Sequence, residues 1–164
     1  MELIDRGLLG YHSLRKEVRN MDEVAKTVLK QFLGFADEDL AKVPRHIERI
    51  ARNFPRALPY KVVAEVTSSK YCFAGIKVGD KIVFNPWLSL QETTCTPCPR
   101  ALIPVLVALM SYWERTIDLL DRGIETVDEL DDVLFGKAVP CLDPGLEHGG
   151  LGKVTFKFHV EKVG

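Results

Sequence analysis

The most regular pattern in the chain is Lys153-Val154-Thr155-Phe156-Lys157-Phe158-His159-Val160-Glu161-Lys162-Val163, in which apolar and polar side chains alternate. From Lys153 to Glu161 the even-numbered positions are apolar and the odd-numbered positions are polar or charged. Successive side chains of a β-strand point to opposite faces of a sheet, so the alternation predicts a strand that is buried on one face only. Such a strand needs pairing partners and a layer that covers its apolar face.

Three other segments are predicted to supply the partner strands. Residues 60–67 (YKVVAEVT) carry apolar side chains on one face and mixed side chains on the other, which indicates a strand covered fully on one face and partly on the other. The pair Gly79-Asp80 predicts a turn that leads into a short strand at residues 81–84. Residues 137–141 form a further extended segment.

Two helices are predicted before the strands. The apolar spacing of residues 21–32 is typical of one helix face, with Asn20 as the N-cap and Gly34 as the stop. A second helix is predicted to start at Pro44, which suits a first helical position, and to end before Pro55.

Two more helices are predicted in the second half of the chain. A long helix covers residues 99–120, with Pro104 either in its first turn or at a kink. Thr126 and Glu129 have the spacing of a capping box, which predicts a short helix at residues 127–134.

The combined pattern predicts an α+β fold in which a small antiparallel sheet packs against a long helix, preceded by a helical N-terminal extension. Residues 54–59 contain two prolines and mark the predicted boundary. Residues 1–59 are therefore assigned to the extension, and residues 60–164 to an α+β domain that contains all the cysteines.

Composition argues against two classes of partner and predicts a compartment. The chain is 46% hydrophobic and 27% charged, with a formal net charge of −1, so no general basic field exists to bind nucleic acid or anionic membrane. The N-terminal residues are not typical of a secretory signal, and the most apolar run, residues 101–113, is too short to cross a bilayer. We therefore expect a cytoplasmic protein without a membrane span, in a reducing compartment where cysteines more often bind metals than form disulfides.

The cysteines carry the strongest functional signal. Cys95-Thr96-Pro97-Cys98 is a C-x-x-C motif, whose two thiolates can bind the same metal or pair with each other. Cys72 and Cys141 lie near the ends of predicted strands and can complete a site with four thiolate ligands. Cys98 also precedes a predicted helix, whose N-terminal end stabilises negative charge.

Alternative interpretations of these residues remain open. Cys72 and Cys141 can be small core residues, since cysteine is often buried. His148 lies in a glycine-rich loop, where it is either a ligand or proton carrier or a solvated side chain. Arg100 either neutralises thiolate charge, binds an anionic ligand or is simply exposed. No catalytic residues are assigned, because no Ser-His-Asp spacing, P-loop or dinucleotide fingerprint is present.

About two-thirds of the chain, from Tyr60 onward, resembles a family of short uncharacterised cysteine-containing proteins, found mainly in anaerobic bacteria and archaea. The matching stretches are KVVAEV at residues 61–66, CFAGIKVGDKIVF at residues 72–84, CPRAL at residues 98–102 and the closing segment from Cys141 through Phe156-Lys157-Phe158. The resemblance implies that Cys72, Cys98 and Cys141 belong together, whereas Cys95 and the helical residues 1–59 depart from the family pattern.

The favoured functional hypothesis is a small metal- or iron-sulfur-binding protein, an accessory or subunit of an anaerobic enzyme system. Its ligands are Cys72, Cys95, Cys98 and Cys141, holding a [4Fe-4S] cluster or zinc. The alternatives are a structural zinc-binding module and a thiol-disulfide redox protein that uses the Cys95/Cys98 pair. With only three cysteine ligands, a [4Fe-4S] cluster has one iron open to a substrate, so the sequence leaves open whether the protein is an enzyme. The helical extension is expected to contact a protein partner or a second copy.

Overall fold

The computed structural model describes residues 21–85, 87–132 and 138–163. Its elements in chain order are α1 (Glu23–Gln31), α2 (Asp37–Leu40), α3 (Arg45–Ala57), β1 (Tyr60–Lys70), β2 (Lys81–Phe84), α4 (Pro99–Asp121), α5 (Val127–Asp132), β3 (Ala138–Pro140), a short 3-10 helix (Leu146–His148) and β4 (Lys153–Lys162). The predicted α+β class, with a small antiparallel sheet, a long helix and helices before the sheet, is confirmed.

The four strands form one antiparallel sheet in the order β2-β1-β4-β3. Val62 of β1 lies opposite Phe84 of β2 on one side and opposite Val160 of β4 on the other. The alternation predicted for β4 is confirmed, because the buried side chains of that strand are Val154, Phe156, Phe158 and Val160. A register shift between Val66 and Ser68 leaves the end of β1 paired with the start of β4.

Helix α4 covers the apolar face of the sheet. Its buried residues Val105, Leu109 and Tyr112 share one core with the inward-facing side chains of β1, β2 and β4. The helix begins at Pro99, a favoured first helical residue because proline has no N–H to leave unpaired there. Among the described residues, no helix is both long enough and apolar enough to cross a bilayer.

Helices α1 and α3 form a second, smaller apolar cluster, which contains Ala25, Val28, Leu29 and Ala51. The N-cap of α1 is Asp22, whose carboxylate accepts hydrogen bonds from the N–H groups of Val24 and Ala25 at 3.0 and 3.1 Å. The predicted cap, Asn20, lies outside the described residues.

The prediction that the second helix ends before Pro55 is wrong, because α3 continues through Pro55 to Ala57. Proline disfavours a helix interior but does not forbid it where other contacts hold the backbone. Such contacts exist on both sides of Pro55: Arg52 pairs with Asp121, and Arg56 pairs with Glu125, each at 2.5 Å. The assignment of residues 1–59 and 60–164 to separate units stays a prediction, and only Leu58 and Pro59 separate α3 from β1.

The other predicted bounds differ only at their ends. β1 is three residues longer than predicted, and β3 is shorter. The predicted end of α5 at residue 134 and the predicted start of β3 at residue 137 lie outside the described residues.

Candidate functional site

Three of the four cysteines meet at one end of the sheet. Cys72 follows the end of β1, Cys141 follows the end of β3, and Cys98 directly precedes α4. All three line one cavity of about 440 Å³, together with Arg100 and Asp143. The topology explains this meeting, because antiparallel strands β1 and β3 both end where β4 begins.

Cys98 is the N-cap residue of α4, and its side chain makes no capping hydrogen bond. The thiol is therefore not used to satisfy the first turn of the helix. Two backbone N–H groups of that turn donate instead to the Cys98 carbonyl, from Ala101 at 3.0 Å and from Leu102 at 2.9 Å. Cys98 thus lies at the N-terminal end of a 23-residue helix, the end that carries partial positive charge.

Pro104 links α4 to the segment that carries Cys141. Because proline has no N–H, it cannot donate to the carbonyl four residues earlier, which belongs to Arg100. That carbonyl accepts a hydrogen bond from the Leu142 N–H at 2.9 Å instead. Pro104 thus leaves the Arg100 carbonyl free to bind Leu142, the residue after Cys141. This hydrogen bond holds the Cys141 segment next to the first turn of α4, which follows Cys98.

Cys141 is fixed by two contacts with the start of β4. Its N–H donates to the Val154 carbonyl at 2.8 Å, and its Sγ accepts from the Val154 N–H at 3.2 Å. The sulfur of a metal-bound cysteine can accept a hydrogen bond of this kind, so the contact is compatible with a ligand role for Cys141.

Asp143 joins the segments that carry the three cysteines. Its Oδ1 accepts hydrogen bonds from the backbone N–H groups of Gly145, Leu151 and Gly152 at 2.9, 3.0 and 3.2 Å. Its Oδ2 accepts from Nη1 of Arg100 at 3.0 Å. Hydrogen bonds from backbone N–H groups, that of Gly145 first, hold the pKa of Asp143 below its usual range.

Gly152 brings this loop against the residues that precede Cys72. A Cβ atom at position 152 would lie 2.3 Å from the Tyr71 carbonyl oxygen and 2.4 Å from that of Lys70. Only glycine allows so close an approach. Asp143 holds Gly152, and Gly152 packs against Lys70 and Tyr71, the two residues before Cys72. Asp143 therefore helps to fix the position of Cys72 as well.

Cys95 is held apart from the cavity, on the free edge of β2. The hydroxyls of Thr93 and Thr94 accept hydrogen bonds from the N–H groups of Val83 and Lys81, which ties the loop before Cys95 to that edge. The Cys95 thiol donates to the Lys81 carbonyl at a sulfur–oxygen distance of 3.9 Å. The CxxC motif therefore places one thiol at the β2 edge and the other at the helix start.

Burial raises the pKa of the Cys95 thiol. Electrostatic interactions with Asp80, Cys72 and Cys98 act in the same direction, so Cys95 lies within electrostatic reach of two of the cavity cysteines. All four cysteines carry free thiols. Within the described part of the chain, no three side chains of His, Cys, Asp or Glu lie close enough together to hold a single metal ion.

The structure separates the two other residues singled out from the sequence. Arg100 lines the cysteine cavity, where it pairs with Asp143. His148 lies instead in a second depression, on the other side of Leu151 and Gly152. A role for His148 as a ligand in the cysteine cavity thus has no support from its placement.

Sequence reasoning missed Asp143 altogether, and it considered Pro104 only for its effect on the long helix and not for the link to the Cys141 segment. The run Asp143-Pro144-Gly145 does contain a turn signal, because aspartate side chains bind backbone N–H groups in turns. No local signal shows that the same carboxylate reaches Arg100, which lies 43 positions earlier in the chain.

Comparison with models of protein families, with curated proteins and with solved structures gives no significant match.

Proposed function

We propose that the protein binds an iron-sulfur cluster, with Cys72, Cys98 and Cys141 as its ligands. The observation that carries the proposal is that these three thiols, from three separate segments, line one cavity. Its volume of about 440 Å³ falls in the range of pockets that accept small ligands. Thiolates are the usual protein ligands of iron-sulfur clusters.

The number of thiols favours a cluster over a structural zinc site. A structural zinc site needs four donors around one ion, each about 2.0–2.3 Å from the metal. Three cysteines line the cavity, and Cys95 does not. A [4Fe-4S] cluster can be held by three cysteines, with its fourth iron left for another ligand.

The protein supplies charge stabilisation for bound thiolates. Cys98 lies at the N-terminal end of α4, and the Sγ of Cys141 accepts a hydrogen bond from the Val154 N–H at 3.2 Å. Arg100 lines the same cavity, but its guanidinium is paired with the Asp143 carboxylate. The helix end and the Val154 N–H are therefore the contributions that offset the negative charge of thiolate ligands, which are the form that binds metal.

Cys95 decides whether the cluster is closed or open. As a fourth ligand it completes a four-cysteine set, which suits electron transfer. Without it, one iron stays open to a substrate, which permits Lewis-acid chemistry. The position of Cys95 on the β2 edge favours the three-cysteine form, since this thiol donates to the Lys81 carbonyl rather than lining the cavity.

The thiol-disulfide alternative has less support. An attacking cysteine needs a lowered pKa, because the thiolate is the nucleophile. Burial shifts the pKa of Cys95 in the opposite direction. The cluster proposal also agrees with the resemblance to proteins of anaerobes and places the protein in a reducing compartment such as the cytoplasm.

Anaerobic purification followed by iron, sulfide and zinc analysis tests the proposal. We expect a brown protein with iron and sulfide, and loss of both when Cys72, Cys98 or Cys141 is replaced by serine. Cys95→Ser is the matched control, and it should keep its iron. Colourless protein with one zinc per chain would overturn the proposal, and loss of iron in Cys95→Ser would make Cys95 the fourth ligand.

We further propose that the helical extension contacts a second copy or another protein, as expected for an accessory subunit. Phe32 and Leu33, directly after α1, expose large apolar side chains that the described residues do not cover. Sedimentation velocity of the wild type and of a Phe32→Ser/Leu33→Ser variant distinguishes the two cases. A dimer lost in the variant indicates a second copy, and a wild type that sediments as a monomer rules a second copy out.

A further inference from the structure

A second depression of about 390 Å³ lies beside the cysteine cavity. Leu151 and Gly152 line both, so the two are separated by one stretch of backbone. Its charged lining residues are Lys70, Lys153 and Glu147, and its apolar ones include Tyr71 and Leu146.

The two lysines of this depression are direct partners across the sheet, Lys70 at the end of β1 and Lys153 at the start of β4. Like charges directly opposite each other on antiparallel strands destabilise the pair. Neither ammonium group forms an ion pair with any carboxylate among the described residues. The pair therefore offers two adjacent donors for an anion.

Tyr71 fixes one of these donors. Its backbone has φ of 53°, a left-handed conformation that costs energy for a residue other than glycine. This conformation accompanies an ammonium–ring contact, with Nζ of Lys70 5.2 Å from the centre of the Tyr71 ring. Gly152 packs closely against the Tyr71 carbonyl, so the backbone at Tyr71 has little room to leave this conformation.

The walls of the depression are apolar and open to solvent. Tyr71, Leu146 and Leu151 are 66%, 63% and 54% exposed. Three large apolar side chains beside an ammonium pair match a ligand with an anionic head and an apolar body. Burial of such a body contributes about 25 cal/mol for each Å² removed from water.

The net charge of the side chains that line the depression indicates which anion fits it best. Lys70 and Lys153 contribute two positive charges and Glu147 one negative charge, so these three side chains leave one positive charge in excess. A singly charged carboxylate balances this excess, whereas a phosphate dianion exceeds it and meets Glu147. We propose that this depression binds a small carboxylic acid with an apolar body, its carboxylate bridging Lys70 and Lys153. The proposal does not depend on the cluster.

Hexanoate is a suitable probe, with acetate, 1-hexanol and inorganic phosphate as controls. In a calorimetric titration of the full chain we expect saturable binding of hexanoate and at least tenfold weaker binding of the other three. Lys70→Gln and Lys153→Gln should each weaken hexanoate binding about tenfold, the loss of one charge-assisted contact. Lys157→Gln, on β4 opposite Glu65, is the matched control and should bind hexanoate like the wild type.

Two further measurements keep the test decisive. Without a ligand, Lys70→Gln should raise the thermal midpoint or leave it unchanged, because it removes the repulsion, and this also shows that the variant folds. Phe73→Ser should not change hexanoate binding, because Phe73 lines the cysteine cavity and not this depression. The proposal is overturned if acetate binds as tightly as hexanoate, if the lysine variants bind normally, or if Phe73→Ser alone abolishes binding, which would place the acid in the cysteine cavity.

Discussion

The carboxylate of Asp143 receives three backbone N–H groups and one guanidinium, and these contacts connect the segments of Cys141, Cys98 and Cys72. Asp143→Asn replaces one carboxylate oxygen with an N–H₂ donor. Whichever way the amide turns, a donor then faces either Arg100 or the three backbone N–H groups. We expect a lower thermal midpoint and a large loss of bound iron after anaerobic purification.

Asp39→Asn is the control for this change, because Asp39 forms only an exposed ion pair with Lys42. It should keep both its midpoint and its iron. If Asp143→Asn loses stability but keeps its iron, Asp143 supports the fold without positioning the cysteines. If both quantities stay at the wild-type level, the anchoring role assigned to Asp143 is wrong.

Cys95 allows a second test on a single side chain. In a variant that keeps Cys95 and has serine at the other three cysteines, the rate of alkylation by iodoacetamide is measured against pH. Burial is the largest cause of the raised pKa, so the apparent pKa should stay above the ordinary value of about 8.5 even without the neighbouring thiols. The same variant in denaturant should return to the ordinary value. An apparent pKa below the ordinary thiol value of about 8.5 would instead favour the thiol-disulfide function.

Helices α3 and α4 run side by side, and a buried amide lies between them. Asn53 is fully buried, and its Nδ2 donates to the Arg49 carbonyl at 3.0 Å and to Asp121 at 2.7 Å, while its Oδ1 accepts from Arg56 at 2.8 Å. Asn53→Ala removes all three hydrogen bonds. We expect the free energy of unfolding, measured with urea, to fall by about 1–3 kcal/mol.

Lys42→Ala is a suitable comparison for Asn53→Ala, because it removes an exposed ion pair. It should change the free energy of unfolding by no more than about 0.5 kcal/mol. Equal effects from the two substitutions would show that the buried amide does not hold α3 against α4.

The elements could be predicted where their signal is local. The alternation of β4 and the apolar run after Pro99 that predicts α4 are each local to one segment, and both predictions are confirmed. The end of α3 could not be predicted, because ion pairs from Arg52 and Arg56 to distant residues hold the helix through Pro55. Local rules for proline do not include such contacts.

The same limit applies to the candidate site. Spacing put Cys95 and Cys98 together, but hydrogen bonds from β2 to Thr93 and Thr94 hold Cys95 on the strand edge. The convergence of Cys72, Cys98 and Cys141 depends on strand order, which periodicity does not give. The family resemblance implied the grouping of Cys72, Cys98 and Cys141 without Cys95, whereas the contacts that bring these three residues to one cavity required the tertiary structure.

Carboxylates with lowered pKa values are distributed over the whole molecule, and together they determine its stability in acid. Each is held by a neighbouring donor: Asp37 by Lys30, Asp121 by Arg52, Asp143 by the Gly145 N–H, and Glu161 by His159. A group whose pKa is lower in the folded state stabilises that state above its ordinary pKa. The stabilisation is lost as the pH falls through the folded value, because the unfolded chain binds protons first.

We therefore expect the urea midpoint to stay level from neutral pH down to about pH 5 and to fall steadily below about pH 4, the ordinary range of these carboxyl groups. Urea titrations at several pH values, followed by circular dichroism, measure this. Asp121→Asn should give a shallower decline in acid, since residue 121 then takes up no proton on unfolding. A midpoint that is constant or rises below about pH 4 would show that these pairs do not stabilise the fold.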